Sequence, residues 1–404
     1  MPDTGQRDTG DPKALSHDTT EPHASASPDP GQAVPIARRR LGWIAAVTAC
    51  VALGALVVSV ALFAIFWPST GLFGYDDVVN LDDTIEAVAV GQINGRPIAV
   101  TDDYDGTMRV WDLTTYKPIG EPMTGRTEAV QAMAISQVDG RPIAVTGGYD
   151  NTVRVWDLTT RKPIGKPMTG HTAIIHAVAV GKMKGQPVAV TGGYDNTVRI
   201  WDLTTRKPIG KPMTGHTDTI HAVAISQVDG RPIAVTGGYD NTVRIWDLTT
   251  RKPIGEPMTG HTDIIHAVAA GQMKGQPVAV TGSRDNTVRV WDLTTREPIG
   301  EPMTEHAKDD FTHTLRAVAV GHVNGRPVAV TSDDGRVWDL TTRLPSGALT
   351  TGHIEAVHAV AVGQVNDRPI ALTGGYDKIV RVWDLTTHEL LGELANQEPT
   401  PSTP

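Results

Sequence analysis

The thirteen residues 146–158, TGGYDNTVRVWDL, recur along this chain, and the recurrence constrains the fold more than any other feature of the sequence. They return with one Val/Ile exchange at 191–203 and 236–248, and as TGSRDNTVRVWDL at 281–293. Looser copies occupy 101–113 and 373–385, and a shortened one 331–340. With Trp-Asp as the phase marker, the copies fall at Trp111, Trp156, Trp201, Trp246, Trp291, Trp338 and Trp383, in steps of 45, 45, 45, 45, 47 and 45 residues. A constant period of this size marks a tandem architecture in which no single unit buries its apolar faces alone. A longer period is also present: 134–154 and 224–244 are identical, and 185–192 equals 275–282. The units therefore alternate in pairs, as if a two-unit block had been duplicated, and near-identical neighbours risk pairing out of order during folding.

Within one unit, 219–258, the pattern is that of strands. Residues 220–224 and 232–236 are β-branched and Ala runs joined across Asp229-Gly230. The same turn recurs as Asn94-Gly95, Asp139-Gly140 and Asn324-Gly325, with Lys-Gly at Lys184 and Lys274. Hairpins select such pairs because positive φ at the turn matches the twist of the strands. A second tight turn over 237–241 leads into the alternating run 242–246, and a fourth strand near 253–258 follows the Leu-Thr-Thr turn. Four short antiparallel strands per unit must stack on their neighbours, and radial stacking leaves only short edges exposed. The expected fold is all-β: a seven-bladed β-propeller, four antiparallel strands per blade, over residues 84–396.

Gly-His at Gly170, Gly215, Gly260 and Gly352, with Trp-Asp closing each unit, resembles the WD-repeat family, and the similarity spans about residues 84–396. The resemblance implies a hydrogen-bonded tetrad in each blade, joining the His of Gly-His, a Ser or Thr on the second strand, the Asp of the next turn and the Trp. The complete sets are His171, Thr191, Asp195 and Trp201; His216, Thr236, Asp240 and Trp246; His261, Thr281, Asp285 and Trp291; and His353, Thr373, Asp377 and Trp383. The first blade has Leu81 and the second Arg126 in the His position, and the sixth carries an insertion and a trimmed turn, so these three are expected to be less tightly pinned. Buried hydroxyl, imidazole and indole groups each need a partner, and a closed network supplies them. A Thr/His/Asp hydrolase triad is the rival reading, but a triad occurs once per active site, whereas this trio recurs blade after blade. The last blade can be completed by residues 389–395 or, as the family often does with its amino-terminal strand, by Val78 and Val79. The register of 389–395 matches the fourth strand of the other units and favours that segment.

Ahead of the repeats the chain changes character. Residues 1–37 are rich in Asp, Thr, Ser, Pro, Gly and His without apolar periodicity, so 1–40 is expected to be a disordered tail. Arg38, Arg39 and Arg40 precede residues 41–67, which contain no charged residue and exceed the ~20 needed to span a bilayer. Trp43 and Trp67 stand near the ends, where indole rings favour the headgroup interface. The run is too long for a cleaved signal peptide, whose apolar core has ~7–15 residues. It also continues well past the lipoprotein-like box VTAC at 47–50. An uncleaved transmembrane helix is the expectation, and the arginines before it, with no basic residue after it until Arg96, place the tail in the cytoplasm and the repeats outside. The stretch 68–83 holds Asp76, Asp77, Asp82 and Asp83 without the Gly and Glu of a calcium loop, and reads as a solvated acidic linker. Residues 397–404 form a second disordered tail. Cys50, the one cysteine, lies in the apolar run, which excludes an intrachain disulfide and a thiolate metal cluster. The formal charge of −9 argues against general nucleic-acid affinity.

The sequence has no phosphate loop, no HExxH and no Gly-x-Ser-x-Gly, so no catalytic residue, cofactor or metal is expected and binding surfaces remain. In the family the usual one is the face built from the loops before the first strand and after the second. On it lie Tyr104, Tyr149, Tyr194, Tyr239 and Tyr376, with Arg284 breaking the series, beside a second ring of Glu86, Gln131, His176, His221, His266, Arg316 and His358. Tyr and Arg are favoured interface anchors, which points to a protein or peptide partner. The plain alternative is that these residues were copied with the blade. A metal held by the four His is disfavoured, because blades fan out while ligands must come within ~2 Å of one ion. The insertion 305–313 brings Phe311 to the same face, either as a contact or folded over its own blade. On the opposite face Arg161, Lys162, Arg206, Lys207, Arg251, Lys252 and Arg296 form a basic ring that could meet anionic lipid, although turn charges of this kind are mostly solvated. The expectation is a single-pass, membrane-anchored, monomeric propeller acting as a non-catalytic interaction platform outside the cytoplasm. Its rival is a glycan or small-ligand receptor using the Tyr ring.

Overall fold

A computed structural model describes residues 85–103, 106–126, 128–304, 315–332, 335–349 and 356–394. The expected membrane span 41–67 and its flanking segments, Leu81, Tyr104, residues 305–313 with Phe311, His353 and the 397–404 tail lie outside the described residues. Among the described residues no helix is long and apolar enough to cross a membrane.

The two-residue turns set the hairpins. Asn94-Gly95 has φ of 51° and 79°, Asp139-Gly140 50° and 75°, and Lys184-Gly185 51° and 82°. Positive φ at both central positions is the turn geometry whose twist suits antiparallel strands. In the third blade the turn joins the inner strand Ile175–Met183 to Gln186–Gly193, which pairs in turn with Thr197–Asp202. The Asp of Trp-Asp explains the next corner: Asp202 Oδ1 accepts from Thr204 N at 2.8 Å and Thr205 N at 3.0 Å, closing an Asx turn. The fourth strand is more broken than the sequence pattern predicts. It begins as Lys207–Pro208, bulges at Gly210 (φ 76°) and rejoins the third strand at Met213–Thr214. In blade 5 it is reduced to bridges at Pro298 and Met303.

Seven such sheets form, one per Trp-Asp unit. Their inner strands lie side by side in chain order, and that of blade 7, Val357–Val365, lies against that of blade 1, Ile85–Ile93, so the ring is closed. The last blade takes its fourth strand from the chain's own end, Leu390–Leu394 paired with Val380–Asp384.

Apolar burial sits at the seams between blades. Val188, Val190, Val198 and Ile200 of blade 3 pack with Ile220, Val223, Trp246 and Leu248 of blade 4, and Ile85, Trp111 and Leu113 of blade 1 meet Ile370, Leu372 and Leu394 of blade 7. The two-blade alternation has a meaning at these seams. A methyl at Gly91 would stand 2.5 Å from Ile135 of the next blade, and one at Gly181 2.8 Å from Ile225. Ser136 and Ser226 occupy the same strand position in blades 2 and 4, and there the next blade offers Val180 and Ala270 instead of Ile. Ile is met only by Gly, while Gly271, Gly321 and Gly363 meet Val, so side-chain size at the interface restricts which blade can follow which.

Candidate functional site

The polar groups beneath the candidate face are consumed by the fold. Trp201 Nε1 donates to Thr191 Oγ1 at 2.9 Å, His171 Nε2 lies 2.7 Å from that oxygen, and His171 Nδ1 lies 2.9 Å from Asp195 Oδ2. The sets at His216, Thr236, Asp240 and Trp246 and at His261, Thr281, Asp285 and Trp291 repeat this geometry, all links lying between 2.7 and 2.9 Å. Because the indole N–H can only donate, a consistent chain runs from Trp to Thr, from the Thr hydroxyl to His Nε2, and from His Nδ1–H to the carboxylate. Burial pushes the Asp240 carboxyl up, but hydrogen bonds from His216, Thr242 and the Thr217 N–H outweigh it and hold the group at about 2. The same balance holds Asp195 and Asp285 below the ordinary carboxylate range.

Blade 2 corrects the expectation of a looser unit. Arg126 is buried and reproduces both His contacts, with Nη1 donating to Thr146 Oγ1 at 2.9 Å and Nη2 meeting Asp150 Oδ1 at 2.5 Å, while Trp156 Nε1 donates to Thr146 at 3.0 Å. A guanidinium spans the same gap because its forked donors reach two acceptors. In blade 1, Trp111 donates to Thr101 at 3.0 Å. In blade 7, Trp383 donates to Thr373 at 2.8 Å, and Arg381 Nη1 pairs with Asp377 Oδ2 at 2.5 Å. Blade 6 departs most: the Thr331 hydroxyl donates to the Arg336 carbonyl at 3.3 Å, and the Arg336 guanidinium lies 5.7 Å over the Trp338 ring, a cation–π contact.

Above these networks every second-ring residue except Arg316 occupies a β-bulge. The register slips between Ile220 and Ala222, with His221 between them, and the same slip brackets Glu86, Gln131, His176, His266 and His358. A bulge re-aims its side chain, here to the axial mouth where the inner strands converge. His176 and His221 stack with centroids 4.4 Å apart and planes at 20°, and His221 meets His266 edge-on at 5.0 Å. The rings therefore touch, contrary to the expectation that fanning blades hold them apart. Stacked imidazoles do not converge their nitrogens on one point, and no group of three or more metal-ligating side chains suited to an ion occurs among the described residues.

Burial lowers His176 to about 4. Burial, then Arg316 and Arg284, lowers His266 to about 4. His221 falls well below its ordinary 6.5 through burial and the neighbouring His176, His266 and Arg316. The stack is neutral at pH 7. Outside it, Tyr239 lies 5.1 Å from His221, Tyr194 6.2 Å from His176, and Tyr376 4.2 Å from His358. Tyr194 and Tyr239 are 54% and 39% exposed, whereas Tyr149 and Tyr376 are half-buried. Arg284 and Arg316 are exposed.

On the opposite face the four arginines of the basic ring also pack against the neighbouring blade, Arg161 and Arg206 half-buried and Arg251 and Arg296 exposed. Each Arg of the turn, held at positive φ, lies over a Gly of the preceding blade's fourth strand: Arg161 over Gly120, Arg206 over Gly165, Arg251 over Gly210 and Arg296 over Gly255. Blades 6 and 7 place Arg343 and His388 in the same way, and Tyr116 over Gly392 latches blade 1 to blade 7. Lys162, Lys207 and Lys252 remain exposed. Sequence reasoning missed this latch, although its signal, a Gly nine residues after the Trp of each Trp-Asp, recurs with the period.

Five segments, 117–157, 161–202, 206–247, 251–292 and 346–384, match the family described as WD domain, G-beta repeat. Together they cover 206 of 404 residues, and the chain belongs to this family. Each matched segment ends on a Trp-Asp, and the units ending at Trp111 and Trp338 are the ones left unmatched. Among curated proteins none matches the chain.

Proposed function

We propose that this chain is a non-catalytic protein-interaction platform, carried at the membrane by residues 41–67 as a single-pass anchor and presenting its propeller on the extracytoplasmic side. The observation that supports this best is the open aromatic rim of the axial mouth. Tyr194 and Tyr239 are exposed above networks that already satisfy the Thr, Trp and Asp groups beneath them, so the core has no use for their rings. Tyr and Arg are the side chains that most often carry binding energy at interfaces. The charge bias of Arg38, Arg39 and Arg40 supports the orientation. Proximity labelling from the propeller in living cells, compared between the native chain and a Tyr194→Ser/Tyr239→Ser variant, tests both parts. The platform predicts extracytoplasmic proteins whose labelling falls in the variant. Recovery of cytosolic proteins alone overturns the orientation, and an unchanged set in the variant overturns the choice of face.

A further inference from the structure

The only two departures to arginine in these rings fall side by side. Blades 3 and 4 carry Tyr194 and Tyr239 in the outer ring and His176 and His221 in the inner one. Blade 5 keeps His266 but has Arg284 in place of Tyr, and blade 6 has Arg316 in place of His. The Arg284 N–H donates to the Ile264 carbonyl at 2.9 Å, next to the strand Ile265–Met273 that bears His266. Arg316 precedes Val318–Val323, the neighbouring inner strand, with its N–H on Ser332 Oγ at 3.0 Å. Both guanidiniums therefore flank His266, one from its own blade and one from the next, and both act on that ring electrostatically. Copying accounts for the Tyr and His series. It does not account for two departures, each to arginine, at one corner of the mouth.

Among the described residues neither cation has a close carboxylate partner. Arg284 Nε stands 3.9 Å from Asp263 Oδ2 with both groups exposed, a pair of little strength, and Arg316 makes no ion pair among the described residues. The next ring position after Arg316 is His358, which is buried, with Nδ1 3.8 Å from Glu86 Oε2. Its Nε2 has no hydrogen-bond partner among the described residues. A buried polar nitrogen left unpaired is uncommon and costly, and marks a place where a ligand group or water completes the site.

We propose that this corner of the axial mouth receives an oxyanion carried by a partner peptide. Arg316 and Arg284 supply the counter-charge, His358 Nε2 a hydrogen bond, and the exposed Tyr239 and Tyr194 rings a shelf for the adjoining side chain. The inference rests on the face being a protein-binding surface and specifies the partner's chemistry. Guanidinium pairs a carboxylate or a phosphate through parallel N–H donors, so an acidic side chain and a phosphorylated one share the required group. With an oxyanion facing Nε2, that nitrogen carries the ring proton and donates it.

The test uses the full chain in mild detergent and fluorescence anisotropy with four labelled nonapeptides, in which a Tyr is flanked by Glu, by phosphoserine, by Gln or by Lys. Glu or phosphoserine peptides are expected to bind at least ~10-fold more tightly than the Gln peptide, and which of them binds identifies the oxyanion. The variant Arg284→Tyr/Arg316→His restores the residues that blades 3, 4 and 7 carry and fold with. It is expected to lose that preference by at least ~10-fold, together with most of its salt dependence. Equal binding of the Gln peptide, tighter binding of the Lys peptide, or an unchanged affinity in the variant overturns the proposal. If none of the four binds while proximity labelling still depends on Tyr194 and Tyr239, the oxyanion site falls and the platform stands; if both fail, the face itself is wrong.

Discussion

Replacing Gly181 with Ser, alone and with Ile225→Ala, tests the idea that side-chain size at the seam restricts which blade can follow which. Gly181 lies in the inner strand of blade 3 outside the left-handed region, so its backbone accepts a side chain. The obstacle is Ile225 of blade 4, whose Cγ2, Cδ1 and Cβ would lie 2.8, 3.3 and 3.4 Å from the new Cβ. Favourable carbon–carbon separations are ~3.5–4.0 Å, so the closest contact is short by roughly 0.7–1.2 Å. Overpacking of this kind costs ~1–3 kcal/mol. Ile225→Ala removes Cγ2 and Cδ1 and leaves only the 3.4 Å contact, reproducing the Ser226/Ala270 pairing native to the following seam. By itself that change opens space beside a half-buried side chain and is expected to cost ~1–2 kcal/mol. In its background Gly181→Ser should become neutral or slightly stabilising, since Ser fills the gap and Gly is a poor strand residue. The expected coupling is therefore about 1–3 kcal/mol, read from the urea midpoints of the four proteins at constant slope. A serine equally costly, or equally harmless, in both backgrounds would refute size matching at the seam.

Other consequences follow from the same structure. Thr236→Val leaves the Trp246 indole N–H and His216 Nε2 without partners in a buried site and should cost ~2–5 kcal/mol by denaturant unfolding. His216→Arg should cost under ~1 kcal/mol, because Arg126 already bridges the equivalent Thr146 and Asp150. The His176 and His266 rings are neutral down to about 4 in the folded protein against an ordinary 6.5, so between those values the unfolded chain binds more protons. Stability should fall as pH drops through ~6.5 and level off near 4, by at most ~3 kcal/mol per ring before the discount for partial exposure, and His176→Gln/His266→Gln should flatten a plot of Tm against pH. The tetrad carboxylates act lower on the scale: with Asp240 held at about 2, its contribution is present above ~4 and lost as pH falls toward 2. Ending the chain at residue 389 removes Leu390–Leu394, bares the edge of Val380–Asp384 and withdraws Leu394 from the closing seam, and aggregation should appear in light scattering.

The sequence by itself determined the number of blades, the hairpin turns and the composition of the tetrads, because each of these is local to one unit of the repeat. Asp139-Gly140 carries its turn in two residues, and the phase of residues 389–395 foretold which segment closes the last sheet. Only the tertiary structure decided what depends on adjacent blades, since a sequence period states which positions are equivalent and not which ones touch. Blades are wedges, widest at the rim and nearest at the axis, so His176, His221 and His266 meet although about 45 residues separate each from the next. The same geometry lays Arg161 on Gly120, sets Ile225 against Gly181 and brings Arg284 and Arg316 to one corner of the mouth. Arg126 in place of His is the reverse case: read as a lost contact in one unit, it is restored in three dimensions because a longer forked side chain spans the same distance.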